Sequence, residues 1–440
     1  MSSTDGSIVS QLLGIGMTAP ATEAKASLYT RALDALGARA RDARMWWVPG
    51  RIEFLGKHTD YAGGPSLVCA VERGLAVVAA PRDDRCLRLL DACSGASAEA
   101  QISADLSPPS RHWSNYSLTV GRRIARNFPG TLRGVDFSFA SDLPSAAGLS
   151  SSSALIVATF LALAEYNQLA DRTEYRAAIQ RQEDLAGYLG AVENGSGFAG
   201  LAGDRGVGTQ GGSQDHTAIL YARPGALVQY TYVPVHFERA LGLPNDHVFV
   251  VASSGVVAAK TGGALALYNR ASAGASAAVR IWRDATGSRA PTLAAALREA
   301  PRGVADIRRV LGDRKELLDR VEQLHNESRI VHEAGDALTV MDLDRLGRLV
   351  DESQAAAERL LGNQIPETIA LARIARELGA AAASAFGAGF GGSVYALVRA
   401  SDADDFRERW RERYVKLFPK RARDATFFET RAGVPARRVE

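Results

Sequence analysis

The segment from Asp142 to Ala154 constrains this chain most, because it ends a strand and opens a helix through four consecutive serines. Pro144 and Gly148 interrupt regular structure, and Ser150–Ser153 stand where the helix begins. Free backbone N–H groups and the positive end of the helix dipole meet there. A plain helix cap explains one serine, but four consecutive serines are poor helix formers. The pattern therefore predicts an anion site suited to phosphate.

A glycine cluster at Gly387–Gly392 formally matches G-x-G-x-x-G. A dinucleotide-binding fingerprint needs a strand before this sequence and a helix after it. Here the preceding segment is rich in alanine, and Ser393–Val398 predicts a strand. We therefore exclude the dinucleotide interpretation. Either a tight turn into the strand or a turn that lets a ligand or another backbone come close remains.

Two polar segments carry further candidate residues. Arg51, Lys57, His58 and Asp60 lie within ten residues, between a tryptophan pair and a strand. They suit hydrogen bonds to a polyhydroxylated ligand, and a solvated loop with a capping aspartate is the alternative. Asp215 follows a glycine-rich loop, where it could act as a general base or as a turn residue stabilised by its own backbone. The residues alone leave both alternatives open.

Several common functions are excluded or disfavoured. The chain lacks the Walker A sequence, the H-R-D loop of protein kinases, H-E-x-x-H and G-x-S-x-G. A net charge of +3, from 52 basic and 49 acidic residues, argues against nucleic acid or a membrane surface as partner. The apolar run at 155–164 is shorter than the roughly 20 residues of a membrane helix. Three cysteines without metal-ligand spacing and a start unlike a signal peptide favour a cytoplasmic location.

The 440 residues suggest two or three domains. Strands and helices are mixed without regular alternation, which favours an α+β fold over a doubly wound sheet. The composition becomes more helical after about residue 240, so we divide the chain into domains 1–240 and 241–440. We expect a mobile lead-in over 2–24, a helix over 25–41, another over 172–189, and paired strands over 216–233.

Taken in order, these segments resemble the GHMP kinases, and among them the galactokinase branch. The family's P-G-R-x-N-x-I-G-E-H-T-D-Y corresponds to Pro49–Tyr61, its P-x-G-x-G-L-S-S-S-A to Pro144–Ala154, and its G-x-G-x-G-G to Gly387–Gly392. The W-x-N-Y segment of the family is similar to Trp113–Tyr116, and its G-I-M-D-Q to Ser213–His216. Each motif alone is weak, but five in this order are specific.

The resemblance covers about residues 45–400 and implies a two-domain fold, with an N-terminal domain like ribosomal protein S5 domain 2 and a ferredoxin-like C-terminal domain. It implies an ATP- and Mg²⁺-dependent sugar 1-kinase acting on galactose or a related sugar, as a monomer or homodimer. By the same resemblance, Asp215 is the expected base and Arg51 its neighbour. The expected sugar-binding residues are Lys57, His58, Asp60, Gly212 and Tyr268. The expected ATP-binding residues are Trp113, Asn115, Tyr116, Pro144, Gly148, Leu149, Ser150, Ser151, Ser152, Ser153 and Gly389.

The sequence departs from the galactokinase pattern at Lys57, where the family has a glutamate that contacts the C6 end of the sugar. A lysine would suit a carboxylate, so a uronic acid such as galacturonate is an alternative substrate to a neutral sugar. An alternative of another class is a non-catalytic sugar-sensing regulator. The intact serine motif and the presence of Asp215 favour the enzyme.

The metal ligand is the second departure. In the family the Mg²⁺-binding glutamate lies about a dozen residues before the catalytic aspartate. Here Glu193 and Glu183 stand 22 and 32 residues before Asp215, and the glycine-rich segment 195–212 looks like an insertion. The expected metal ligands are therefore Ser152 with either Glu183 or Glu193.

Overall fold

Two β-sheets organise the chain, and the computed structural model describes residues 3–144, 147–256 and 263–440. The first sheet contains β1 (Arg44–Leu55), β2 (Pro65–Pro81), β3 (Cys86–Asp91), β4 (Ser97–Gln101), β5 (Val135–Ser141), β6 (Ala226–Thr231) and β7 (His236–Gly242). The second contains β8 (His247–Ser253), β9 (Ala382–Phe386), β10 (Ser393–Arg399) and β11 (Thr426–Thr430). The last strand, β12 (Arg437–Val439), returns to the first sheet and pairs with β1.

The long central strand β2 holds the first sheet together. It pairs antiparallel with β1, β5 and β6, and the sheet order is β12-β1-β2-β5-β3-β4, with β7 beyond β6. Its sequence is rich in Val, Leu and Ala, and nearly all of its residues are buried, as expected for a strand covered on both faces. The second sheet has the order β11-β8-β10-β9 and is antiparallel throughout.

Helices cover both sheets. In the first half they are α1 (Ser3–Gly14), α2 (Ala19–Leu36), α3 (Asn115–Asn127), α4 (Ser151–Tyr166), α5 (Thr173–Ala178), α6 (Asp184–Asn194) and α7 (Gln214–Tyr221). In the second half they are α8 (Gly263–Thr286), α9 (Leu293–Glu299), α10 (Val304–Leu311), α11 (Lys315–Thr339), α12 (Leu343–Ala356), α13 (Pro366–Glu377) and α14 (Ala403–Leu417). Within these described ranges, no helix is both long and apolar enough to cross a membrane.

Helix α4 is apolar on nearly all sides because it lies inside the first half of the chain. It packs against β1 and β2 and against α3, α6 and α7. Ile156, Phe160 and Leu163 are almost completely buried in the main core. A helix surrounded in this way needs no polar face. The packing fixes the direction of α4, and therefore fixes the place where its serine-rich start opens.

The two halves meet where β1 packs against the second sheet. The ring of Tyr395 on β10 stacks on Phe54 of β1 with centroids 4.9 Å apart, and its hydroxyl donates to the Phe54 carbonyl oxygen at 2.7 Å. On the other face of the second sheet, Trp410 and Tyr414 of α14 are fully buried. The residues after Phe54 on the chain form the loop that carries Lys57, His58 and Asp60.

Three local predictions were wrong. Residues 2–24 are not a mobile lead-in as far as the structure describes them, because Ile8, Leu12 and Met17 are buried in a core against the first sheet. The predicted helix over 172–189 is divided into α5 and α6. Residues 216–221 belong to α7, and the hairpin predicted over 216–233 is formed by β6 and β7 instead. The domain boundary at residue 240 stays a prediction.

Removing the Tyr395 hydroxyl tests the junction between the halves. We expect Tyr395→Phe to cost about 1–3 kcal/mol of unfolding free energy, because the buried Phe54 carbonyl loses its partner. Tyr395→Ala should cost about 3–5 kcal/mol, since it also leaves a cavity. Urea-induced unfolding measures both losses. A Tyr395→Phe protein with wild-type stability would show that the hydrogen bond contributes nothing.

Candidate active site

Asp215 and the serine-rich turn meet directly. Asp215 lies in the first turn of α7, and its Oδ1 accepts a hydrogen bond from Arg51 Nε at 2.7 Å. Its Oδ2 accepts from the hydroxyl of Ser150. Arg51 also donates through Nη1 to the Gly148 carbonyl oxygen at 2.5 Å. Strand β1, the start of α4 and the start of α7 therefore hold one carboxylate between them.

The ion pair is set in a buried environment on the Arg51 side. The side chain of Arg51 is 4% exposed and that of Asp215 is 18% exposed. Burial alone would lower the pKa of Arg51, but the carboxylates of Asp215 and Glu53 outweigh it and raise that pKa. Arg51 therefore keeps its charge, and Asp215 keeps one exposed edge that a ligand can reach.

Ser150 gives the start of α4 an unusual geometry. Its backbone lies in the left-handed region, with φ at 64°, and its carbonyl accepts from the Ala154 N–H at 2.9 Å. Its hydroxyl turns to Asp215 and makes no cap to the helix. Among the described residues, no acceptor is seen for the N–H groups of Ser151, Ser152 and Ser153, and such a helix start attracts anions.

A wide cleft opens over this helix start. Its lining residues include the aromatic side chains Trp113 and Tyr116 together with Gly148, Ser150, Ser151, Ser152 and Gly389. Aromatic rings suit a nucleobase, and a helix start suits phosphates. Gly389 has φ at +83°, and a Cβ there would lie 2.4 Å from the Asn363 carbonyl oxygen, so this turn requires glycine.

Four predicted ATP-binding residues lie outside the residues that line the wide cleft. Asn115 donates to the Val207 carbonyl at 3.3 Å. Leu149 is buried, and its carbonyl accepts from the Arg51 N–H at 3.2 Å. Ser153 turns toward Glu193. Pro144 is not a lining residue, and it shapes the turn before the helix.

A polar cavity adjoins the wide cleft and shares Arg51, Asp215 and Ala388 with it. It brings together four of the predicted sugar-binding residues, namely His58, Asp60, Gly212 and Tyr268. A Cβ on Gly212 would lie 2.4 Å from Asp60 Oδ2, so only glycine lets this loop pack on that carboxyl group. Asp215 therefore stands where a cleft and a polar cavity join.

The ring of His58 is held as a neutral imidazole. Burial, with the positive charge of Arg320 adding to it, lowers the pKa of His58 to about 3. Nδ1 lies 2.8 Å from the Tyr61 hydroxyl, and Nε2 lies 3.3 Å from the Ala388 carbonyl oxygen. Burial also raises the pKa of Asp60, whose Oδ2 accepts from the Gln214 N–H at 3.2 Å.

Lys57 does not line the polar cavity, which corrects its prediction as a sugar-binding residue. Its side chain is 1% exposed and points into the second half of the chain, where Nζ donates to Ser353 Oγ at 3.0 Å. Ser353 in turn donates to the carboxylate of Glu327, which also accepts from the backbone N–H groups of Gly56 and Lys57. The lysine is therefore committed to holding its own loop on α11 and α12.

Glu193 is the glutamate at the site. Its Oε2 accepts from Ser153 at 2.9 Å and its Oε1 from Thr209 at 3.2 Å, and Ser153 Oγ lies 3.1 Å from Ser150 Oγ. Glu183 precedes the first turn of α6, about 15 Å further along the helix by its rise. The prediction of Glu183 was therefore wrong. Ser152 faces the wide cleft, and the serine beside the glutamate is Ser153.

The glycine-rich segment 195–212 is built into the site. Asp204 forms a buried ion pair with Arg122 of α3 at 2.7 Å. Asn269 of α8 accepts from the Gln210 N–H at 2.9 Å and donates to the Gly208 carbonyl at 3.1 Å. The insertion therefore carries Gly211 and Gly212 onto the polar cavity and Thr209 onto Glu193.

Sequence reasoning missed Glu53, Thr209, Gln214 and His216. Glu53 carried a signal, because it alternates with Arg51 in a strand whose other neighbours are apolar, which puts both charged side chains on one face. His216 Nε2 lies 3.2 Å from Glu193 Oε2. The positions of Thr209, Gln214 and His216 depend on the path of the insertion, and no local pattern could have singled these residues out.

Comparison with known proteins identifies the family of the chain. Family models match residues 35–81 (galactokinase galactose-binding signature), 115–197 (GHMP kinases N terminal domain) and 336–416 (GHMP kinases C terminal). A galactokinase of Chloroflexus aggregans is 30% identical over 364 residues, 81% of this chain and 84% of the relative. A galactokinase of Roseiflexus sp. is 30% identical over 405 residues, 89% of this chain and 92% of the relative.

Solved structures agree on the fold. Lactococcus lactis galactokinase complexed with galactose superposes with a TM-score of 0.78 at 20% identity, over 94% of this chain and 99% of that one. Methanococcus jannaschii mevalonate kinase superposes with a TM-score of 0.54 at 14% identity, over 88% of this chain and 98% of that one. The architecture is the two-domain GHMP kinase fold, as predicted. The chain belongs to the galactokinase family. It is thus a sugar kinase, a phosphotransferase with an alcohol group as acceptor and ATP as donor.

Replacing Lys57 distinguishes a loop anchor from a sugar contact. We expect Lys57→Met to cost about 1–3 kcal/mol of unfolding free energy, because the buried Ser353 hydroxyl loses the ammonium group that donates to it. The KM for the sugar should change less than about threefold. Lys315→Met, at an exposed lysine on α11, is the matched control and should change neither quantity. A large rise in KM at wild-type stability would contradict this assignment.

Glu53 makes the stability of the fold depend on pH. Burial raises its pKa from 4.5 to about 8, although Arg51 and Lys57 oppose the shift. Between these values the folded chain holds a proton that the unfolded chain has released, so stability falls as pH rises. The free energy of unfolding of the wild type should therefore fall between pH 5 and pH 8 by about 3–4 kcal/mol more than that of Glu53→Gln. Urea-induced unfolding at both pH values measures the difference, and equal losses would contradict the shift.

Proposed function

We propose that the chain transfers the γ-phosphoryl group of ATP to the anomeric hydroxyl of galactose or a related sugar, with Asp215 as the base. The observation that carries this proposal is the position of the Asp215 carboxylate. It lies where the wide cleft and the polar cavity join, and Arg51 and Ser150 hold it there. A hydroxyl in the polar cavity and a phosphate in the wide cleft can meet at this carboxylate.

The wide cleft suits ATP. The triphosphate lies at the start of α4, where the N–H groups and the hydroxyls of Ser151 and Ser152 donate to its oxygens. The adenine ring of ATP packs against Trp113 and Tyr116. Phosphoryl transfer asks little covalent chemistry of the protein, so positioning and neutralisation of charge account for most of the rate.

The sugar lies in the polar cavity, among Asp60, Tyr268 and the Gly211–Gly212 loop. Its hydroxyl oxygen forms the new bond to the γ-phosphorus while the bond from that phosphorus to the β–γ bridging oxygen breaks and ADP leaves. The hydroxyl proton passes to Asp215. The positive charge of Arg51, 2.7 Å from Oδ1, stabilises the ionised form of the carboxylate and holds it in place before this step.

Magnesium fits the oxygen donors beside Asp215. Glu193 and Ser153 are both buried, and their side-chain oxygens lie 2.9 Å apart. Mg²⁺ is commonly held by one or two protein oxygens together with substrate phosphates. We propose these two residues as its protein ligands. Bound there, the ion would neutralise charge on the phosphates.

Asp215→Asn tests the assignment of the base. The variant keeps the size of the side chain but cannot accept the proton, so we expect kcat to fall by at least about 100-fold with the KM for galactose changed only a few-fold. Asp83→Asn, at a fully exposed aspartate, is the control and should keep wild-type kinetics. The assay couples ADP release to a visible reaction, with ATP, Mg²⁺ and galactose.

The same reaction identifies the position of transfer. A phosphate on the anomeric oxygen is released by mild acid, whereas a phosphate ester at another hydroxyl is stable under these conditions. Acid-stable product would disprove the anomeric assignment. A wild-type kcat in Asp215→Asn would disprove the assignment of Asp215 as the base.

A further inference from the structure

Glu53 is the buried carboxyl group that the proposed reaction leaves without a role. It lies on β1 two residues after Arg51, so both side chains point to the same side of the strand. It lines the polar cavity and is 3% exposed. Its Oε1 has no hydrogen-bond partner in the part of the chain that the structure describes.

The cations near Glu53 are committed elsewhere. Arg51, the one arginine or lysine among the described residues that line the polar cavity, binds Asp215 and the Gly148 carbonyl. Lys57 binds Ser353 on the far side of its loop. A buried carboxyl oxygen without a donor is costly, and a donor on a ligand would remove that cost.

The cavity as a whole is acidic. Glu53, Asp60, Glu193 and Asp215 line it with one arginine between them, and the neutral His58 adds no charge. A ligand that brings a further carboxylate would add to a group of acidic side chains in which burial already disfavours the charged forms of Glu53 and Asp60, whereas an ammonium group would favour those charged forms. The galactokinase motif has asparagine where this chain has Glu53, so the extra acidic group belongs to this chain.

We propose that Glu53 is a substrate-binding residue that determines specificity: its carboxyl group receives a hydrogen-bond donor of the acceptor sugar, and it favours amino sugars over neutral sugars and these over uronic acids. The inference rests on the proposed function, because it places the acceptor sugar in the polar cavity. It replaces the uronic acid hypothesis, since the lysine that motivated that hypothesis lies outside the cavity.

Glu53→Gln tests the proposal because it keeps the shape and replaces a carboxyl group, which releases its proton when an ammonium group lies beside it, with an amide that cannot ionise. The wild type and the variant are assayed with galactosamine, galactose and galacturonate at equal ATP and Mg²⁺. We expect the ratio of kcat/KM for galactosamine to that for galactose to fall at least tenfold in the variant, and the ratio for galacturonate to galactose to rise. Unchanged ratios would overturn the proposal.

Two further variants keep the test decisive. Glu53→Asp retains the carboxyl group on a shorter side chain and should retain the order of preference with a higher KM. Glu72→Gln, on β2, is the control, because its carboxylate binds Thr18 and the Arg431 N–H away from the polar cavity. Its ratios should equal those of the wild type. A shift in Glu72→Gln as large as that in Glu53→Gln would assign the effect to net charge and overturn the proposal.

Binding separates this inference from the proposed function. If the wild type phosphorylates none of the three sugars, the proposed function fails. The role of Glu53 in sugar binding is then tested separately, by calorimetric titration of galactosamine and galactose into the wild type and Glu53→Gln. A tenfold loss of the affinity ratio in the variant supports the role of Glu53. Equal affinity ratios overturn it.

Discussion

The ion pair between Arg51 and Asp215 is the interaction on which the rest of the site depends. Arg51 comes from a buried strand and Asp215 from the start of a short helix, and Ser150 at the start of α4 completes the junction. Each of these elements is fixed by burial of apolar residues in the same core. Packing of the apolar core therefore positions the two charges. The ion pair in turn holds the Asp215 carboxylate with one edge open to the cavity.

The second half of the chain supplies the support for the sugar side. Glu327 accepts from the N–H groups of Gly56 and Lys57, and Arg320 donates to the His58 carbonyl. Gln323 donates to the Lys57 carbonyl at 2.9 Å. One face of α11 thus holds the backbone of the loop that carries His58 and Asp60. The loop side chains are free to face the polar cavity because the loop backbone is satisfied by the helix behind it.

The structure also explains how Glu53 is tolerated in a cavity that three other acidic residues line. Burial disfavours the charged form of Glu53 and raises its pKa, whereas Arg51 and Lys57 oppose that shift. Such a group gains from a ligand that donates to it, and sites of binding and catalysis are where residues without a partner of their own are commonly found. Stability and recognition are linked here, because the group that weakens the empty fold at high pH is the one a sugar would satisfy.

The sequence by itself determined the chemistry of the chain: a serine-led helix start, a glycine turn, an arginine and an aspartate in an order specific enough to indicate the fold. These depend on local rules, namely which residues open helices and which permit close approach. Only the tertiary structure decided that Lys57 points away from the cavity and Glu53 into it, and that Glu193 stands at the site. Those outcomes depend on α11, α12 and the segment 195–212, which lie far along the chain, and the direction of a side chain is set by what packs against it.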